Sequence, residues 1–278
     1  MNIIDQQKAL RYLPSLNLKV GGSRLDDFFE RASDWVASRI TGDRIAEAVP
    51  ASADAKLRRL AERLAAVKGY RTAVAEMDLQ LSEAGFVVQS NEAMSPASKE
   101  RTASLCRSLD LRIMEDADSL TSHLWKNSVN GKPYGQWRET PRFERLSSAF
   151  TPYSFICNVY LQGQQRLETW DSFFALIPRL VEALETAVAP YVSPEQVELL
   201  RRQYRTEQLS EAQQAVMRRL VRAEMAAVKG DAAQARAASI EARSLMMQRL
   251  AEFPAFAASD CFQLPAMRFN EGHIVDTL

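Results

Sequence analysis

Leu25-Asp26-Asp27-Phe28-Phe29-Glu30-Arg31-Ala32-Ser33-Asp34-Trp35-Val36-Ala37-Ser38-Arg39-Ile40-Thr41-Gly42 is the stretch that decides the fold. Leu25, Phe28, Phe29, Ala32, Trp35, Val36 and Ile40 recur at helical spacing and make one wide apolar face. Ser23, just after Gly21-Gly22, is placed to cap this helix, with Asp26 three residues on imitating a capping box. Gly42 stops the helix after Thr41, and a short helical turn carrying Ile45 and Val49 runs up to Pro50.

The same helical grammar continues outward. Over about residues 52–77, Leu57, Leu60, Leu64, Val67 and Val74 share one side, with Arg58, Arg59, Glu62, Arg63 and Lys68 opposite. Gly69 inside this helix costs about 1 kcal/mol relative to Ala, so the sequence predicts a close backbone approach or a bend there. Residues 79–91 break the period: Phe86, Val87 and Val88 after Gly85 read as a short strand or hairpin that needs a partner. That partner is a second strand of the same domain or an edge on another subunit. Ser95-Pro96 starts a helix to about residue 125, with Leu105, Leu109, Ile113, Ala117, Leu120 and Leu124 inward.

Residues 127–153 read as a long irregular stretch holding Gly131, Pro133, Gly135, Pro141 and Pro152. Tyr134, Trp137, Phe143, Phe150 and Tyr153 give it enough aromatic surface to dock on something, either a neighbour or the body of the same protein. A helix over about 155–190 follows, with a kink or break expected at Pro178. Ser193-Pro194-Glu195-Gln196 is the clearest helix start in the chain. Helices over about 194–204 and 207–229 come next, and Gly230-Asp231 then ends one helix and caps another that reaches about 253. The last residues read as an extended arm.

Leu25-Asp26-Asp27-Phe28-Phe29 is answered by Trp170-Asp171-Ser172-Phe173-Phe174, Leu57-Arg58-Arg59 by Leu200-Arg201-Arg202, and Ala66-Val67-Lys68-Gly69 by Ala227-Val228-Lys229-Gly230. Either a helical unit is duplicated, or helices rich in Ala, Leu and Arg coincide. The fold expected is mainly α, a multi-helix bundle with one short β segment or hairpin near 79–91. Its parts are a helical domain over 1–126, the aromatic loop 127–153, a second helical region over 154–253 (a degenerate repeat, if the duplication is real) and a C-terminal arm over 254–278.

Composition narrows the function classes. At 278 residues and 46% hydrophobic content the chain can bury a core without metals or disulfides. With 35 basic and 35 acidic residues the net charge is zero, which argues against bulk capture of nucleic acid. Three widely spaced cysteines, Cys106, Cys157 and Cys261, suit a reduced compartment and buried thiols rather than a disulfide frame or a zinc site. No run approaches the roughly 18 apolar residues of a membrane span, and Met1-Asn2-Ile3-Ile4-Asp5 does not look like a signal peptide.

A catalytic set is hard to assemble. Only His123 and His273 could serve as a histidine base. A proton relay on the His123 face would use Asp116 and Ser119, whereas the plain reading bonds His123 to its helix neighbours. The cluster Glu115-Asp116-Ala117-Asp118 lacks the Glu-x-x-His pairing of bundle metal sites and reads as a solvated face. Arg201-Arg202 and Arg218-Arg219-Leu220-Val221-Arg222 alternate with Glu207, Glu211 and Glu224, as in ion pairing along exposed helices. The expectation is no enzyme, no catalytic residue, no cofactor and no metal.

Two stretches carry a resemblance. Residues 25–49, a helix with Trp35-Val36 and Arg39-Ile40-Thr41-Gly42 followed by a short helix, are similar to the N-terminal helices of the head–tail connector (adaptor) proteins of tailed bacteriophages. Met77-Asp78-Leu79-Gln80-Leu81, Gly85-Phe86-Val87-Val88 and Ser95-Pro96-Ala97-Ser98-Lys99-Glu100-Arg101 resemble an uncharacterised family from phage and prophage structural regions of Bacteroidetes. Together they cover roughly residues 20–126. Connector proteins are usually much shorter than this chain.

The resemblance implies a structural virion protein of the phage neck, made in the bacterial host cytoplasm, which forms a homo-oligomeric ring between portal and tail. Its partners would be other copies of itself, portal protein and neck or tail proteins. DNA would pass a channel without being read, and no membrane would be involved. The interface candidates are Phe86, Val87, Val88, Tyr134, Trp137, Phe143, Phe150 and Tyr153. The rival readings are a cytosolic helical protein-interaction adaptor without catalytic activity and an enzyme using carboxylates alone.

Overall fold

Gly69 marks a tight approach of two helices. In the computed structural model, which describes residues 2–13, 24–77, 80–82, 85–87, 99–129, 134–148, 169–206 and 208–263, a Cβ added at Gly69 would lie 2.6 Å from Phe29 Cδ1 and 3.1 Å from the Phe28 carbonyl oxygen. The expected close approach is therefore between helix α2 (Arg24–Val36) and helix α4 (Ala55–Met77), with the short α1 (Gln6–Ala9) and α3 (Asp43–Ala48) beside them. Leu25, Phe28, Phe29, Ala32 and Val36 are buried on α2, and Leu57, Leu60, Leu64 and Val67 on α4.

The protein is mainly α. The β-like stretch is a hairpin, β1 (Gln80–Ser82) antiparallel to β2 (Gly85–Val87), with Leu81 opposite Phe86 and Gln80 opposite Val87. Helix α5 (Lys99–Lys126) buries Leu109, Ile113, Ala117, Leu120 and Leu124 as the sequence predicts. Leu105, expected inward, is 40% exposed. Glu62, expected in solvent, is buried and accepts a hydrogen bond from Tyr12 at 2.9 Å.

Residues 127–153 are not one irregular loop. Gly135–Glu139 form a 3-10 turn and Pro141–Ser148 form α6, capped by the Thr140 hydroxyl, which accepts from the Phe143 N–H at 3.2 Å. The described part of the helix expected over 155–190 is α7 (Trp170–Ala183), closed by a π turn at Leu184–Val188. Pro178 does not break α7. A helical proline removes the N–H that the carbonyl four residues back would have bound. That carbonyl belongs to Phe174, and Arg145 Nη2 donates to it at 2.9 Å.

Helix α8 (Pro194–Arg205) starts at the Ser193 cap as read from sequence. Helix α9 spans Glu211–Val228 rather than beginning near 207, because Ser210 and Gln213 form a capping box. Helix α10 (Ala232–Gln248) starts at the Asp231 cap. The beginning of the expected arm is folded: α11 (Pro254–Ala257) buries Phe256, whose N–H donates to the Gln196 side chain at 3.1 Å, and α12 (Asp260–Gln263) follows. Residues 264–278 lie outside the described ones.

The chain divides into two units, Met1–Leu146 with Leu167–Phe174, and Ser147–Arg166 with Ala175–Leu278. The expected boundaries at 126 and 154 do not coincide with them. The sequence repeats do not mark them either. Trp170, Phe173 and Phe174 are buried but belong to the first unit, together with the Leu25 motif they echo. Gly69 is a tight packing point inside a helix, whereas Gly230 ends one at φ +83 with open space around it.

The Gly69 contact yields a sharp expectation. A Gly→Ala change inside a helix normally stabilises by up to about 1 kcal/mol. Gly69→Ala should instead destabilise by about 1–3 kcal/mol through overpacking against the buried Phe29 ring, read as a lower urea midpoint. A raised midpoint would show that the two helices separate freely.

Candidate functional site

The polar centre of the first unit is Asp54, just before α4. Its Oδ1 accepts from the backbone N–H groups of Lys56 at 3.0 Å and Leu57 at 2.9 Å, the geometry of a helix cap. Its Oδ2 bonds His123 Nε2 at 2.7 Å and accepts from the Tyr134 hydroxyl at 3.0 Å. One carboxylate thus joins the start of α4, the last turn of α5 and the chain entering α6.

Burial by itself would raise the Asp54 pKa. The hydrogen bonds from Leu57, His123 and Tyr134 outweigh it and hold the carboxyl at about 2. The Tyr134 hydroxyl is pushed up, first by burial and then by its bond to the Asp54 carboxylate. The His123 imidazole thus bonds across to Asp54, the cap of α4, rather than to a side chain of its own helix.

The relay partner considered for His123 is engaged elsewhere. Asp116 is buried and ion-paired with Arg63, and burial raises its carboxyl against the pull of that guanidinium. The cluster at 115–118 is thus not a uniformly solvated face. Among the described residues no group of three or more His, Cys, Asp or Glu side chains could hold a metal ion. Cys106 and Cys261 are free thiols, both part-exposed rather than buried as expected.

Around Asp54 the aromatic segment closes on the unit itself. Trp137 is fully buried and its indole N–H donates to the Ile40 carbonyl at 2.7 Å. Ile40 lies in the π turn Ala37–Thr41 that ends α2, where helix carbonyls lack partners within the helix. Arg142 Nε donates to the Ser38 carbonyl of the same turn at 2.8 Å. Phe143 stacks on Trp125 at 5.0 Å and meets Trp137 edge-on at 5.1 Å. The Arg138 guanidinium lies 5.1 Å from the Trp125 ring and 5.2 Å from the Phe143 ring, and donates to Ser128 at 3.0 Å.

A second hub forms at Asp171. Its carboxylate accepts from the Trp35 indole at 2.9 Å and pairs with Lys68 at 3.3 Å and Arg39 at 3.5 Å. The Lys68 ammonium sits 4.6 Å above the Trp35 ring, which is part-exposed rather than wholly on the apolar face.

Of the eight interface candidates, Tyr134, Trp137 and Phe143 come together, but inward. Trp137 is a core residue, because an indole N–H can be buried only with an acceptor and the end of α2 supplies one. Phe86 and Val87 lie on β2, away from this cluster in sequence and element. Val88, Phe150 and Tyr153 fall outside the described residues. Sequence reasoning missed Asp54 and Asp171, although Asp54 stands two residues after Ser52 at the start of a helical run, a readable capping signal.

In the second unit Glu224, expected on an exposed helix, is buried. Burial pushes its carboxyl well above the usual carboxylate range, and Arg201 opposes that shift.

Asp54 makes stability depend on acid. Its folded pKa lies below its ordinary value of 3.8, so its contribution is full above about pH 4 and is lost as the pH falls through about 2. Asp54→Ala should lose about 2 kcal/mol at pH 7. Urea unfolding from pH 7 down to pH 2 should show the gap to the parent protein closing below pH 4. A gap that stays constant across that range would assign the loss to something other than the ionised carboxylate.

Residues 10–145 match a family of unknown function (DUF6712), a little under half of the chain. The match ends one residue short of Leu146, where the long stretch of the first unit ends. No curated protein and no solved structure matches the chain.

Proposed function

We propose that the protein is a structural component of a phage neck, working through subunit contacts in a ring between portal and tail. The observation that carries this reading is the hairpin Gln80–Ser82 and Gly85–Val87. It is a two-stranded sheet, and among the described residues neither outer edge has a further strand. A lone hairpin is marginal in water, and its free edges are templates for strand addition by a neighbouring copy or by a portal subunit. The stretch that carries the phage-family resemblance includes this hairpin.

Tyr134, Trp137 and Phe143 are used inward, whereas Phe86 and Val87 lie on a strand of the hairpin. A ring joins one face of a subunit to a different face of the next, which suits an edge that offers backbone groups rather than a self-complementary patch. The balanced charge suits a channel that lets DNA pass without gripping it. Among the described residues no helix is long and apolar enough to cross a membrane.

The test is the mass of the full chain in solution, alone and with a portal protein. The expected result is a closed ring, or a monomer or dimer that assembles into larger species only on the portal. Replacing residues 80–87 by Gly and Ser should abolish that assembly and leave the helical circular dichroism melt unchanged. A monomer or dimer indifferent to the portal, or ring or portal assembly that survives loss of the hairpin, would contradict the reading.

A further inference from the structure

Helix α10 has two apolar faces where one is expected. Ala235, Ala238, Ser239, Ala242 and Met246 are buried within the second unit, with the Ser239 hydroxyl donating to the Ala187 carbonyl at 2.8 Å. The opposite side carries Ala233, Ala237, Ile240, Ser244 and Met247, all exposed and none charged. Ile240 is 43% exposed and Met247 42%. A surface helix normally fills that side with charged and polar groups. These five residues instead follow one another at alternating steps of four and three, the seam of a coiled coil.

The flanks of the seam say what covers it. With Ala237 and Ser244 at the a positions and Ile240 and Met247 at d, Arg236 and Arg243 fall at g and Gln234, Glu241 and Gln248 at e. One flank is basic and the other is acidic or neutral. In a parallel, in-register pair a g residue meets the e residue five places on in the partner, so Arg236 meets Glu241 and, by the two-fold axis, Glu241 meets Arg236. In an antiparallel pair like flanks meet, setting Arg236 and Arg243 against their own kind. Arg243 is already held by the Phe262 carbonyl at 3.4 Å, and Glu241 pairs with Arg219 at 3.5 Å within its own unit. The discriminating pair is therefore Arg236 with Glu241.

We propose that α10 pairs in parallel, in register, with α10 of a second copy of this chain. The seam is short, and an isolated helix of this length is marginal in water. Here α10 is already held as a helix by its packing on α9, so pairing does not have to form it. Ala237 and Ser244 let the two backbones approach, while Ile240 and Met247 supply the apolar contact. This two-fold contact is separate from the hairpin edge and does not depend on a portal.

Sedimentation of the full chain over a concentration series tests it. The parent should show a reversible monomer–dimer equilibrium. Arg236→Glu and Glu241→Arg should each weaken it at least tenfold, and the double exchange should restore it, an outcome that a merely local disturbance at Arg219 would not give. Oxidation of the Ile240→Cys variant should give a covalent dimer that the parent, with its own thiols, does not form. A chain monomeric at every concentration, a dimer insensitive to the charge exchange, or an Ile240→Cys variant that crosslinks no more than the parent would overturn the proposal.

Discussion

The bond from the Trp137 indole to the Ile40 carbonyl is the contact on which the first unit depends. An indole can be fully buried only where its N–H finds an acceptor, and a helix-end carbonyl can be buried only where it finds a donor. Each supplies what the other lacks. The same exchange recurs along one short stretch. Tyr134 serves the cap of α4, Arg142 serves the end of α2, and Arg145 serves the carbonyl that Pro178 leaves free in α7. Residues 134–145 thus act as a clasp across helix ends formed far away in sequence.

Much of the fold is legible in the chain because it rests on local rules. The α2 face, the Ser193 start and the Gly69 contact all follow from spacing or from the cost of glycine. The box at Ser210 and Gln213 is equally readable from its residues, yet periodicity alone puts that helix start too early. Where sequence reading fails, a distant partner decides the outcome. Glu62 and Glu224 look like surface residues until Tyr12 and Arg201 are placed beside them. A proline inside a helix reads as a break unless an arginine elsewhere can take the orphaned carbonyl.

The candidate site shows the same division. Aromatic density at 134–143 correctly signals docking, but sequence cannot tell docking on a neighbour from docking on the chain's own helix ends. The hydrogen-bond inventory decides it. The Trp137 and Tyr134 donors are spent inside the unit, and the Asp54 oxygens take four donors between them. The hairpin backbone and the charge-free seam of α10 are two surfaces open to association, and they differ in symmetry. The first suits joining unlike faces and the second suits joining like ones.

The most direct test of the clasp is native-state hydrogen exchange of Trp137→Phe. This change keeps an aromatic ring in the site but leaves the Ile40 carbonyl without its donor. The account predicts that amide protection in α2, α4 and α5 falls together by about 1–3 kcal/mol, the cost of one buried, unsatisfied polar group. Unchanged protection in those helices, with only the assembly state altered, would return Trp137 to the role of an interface residue and contradict the account.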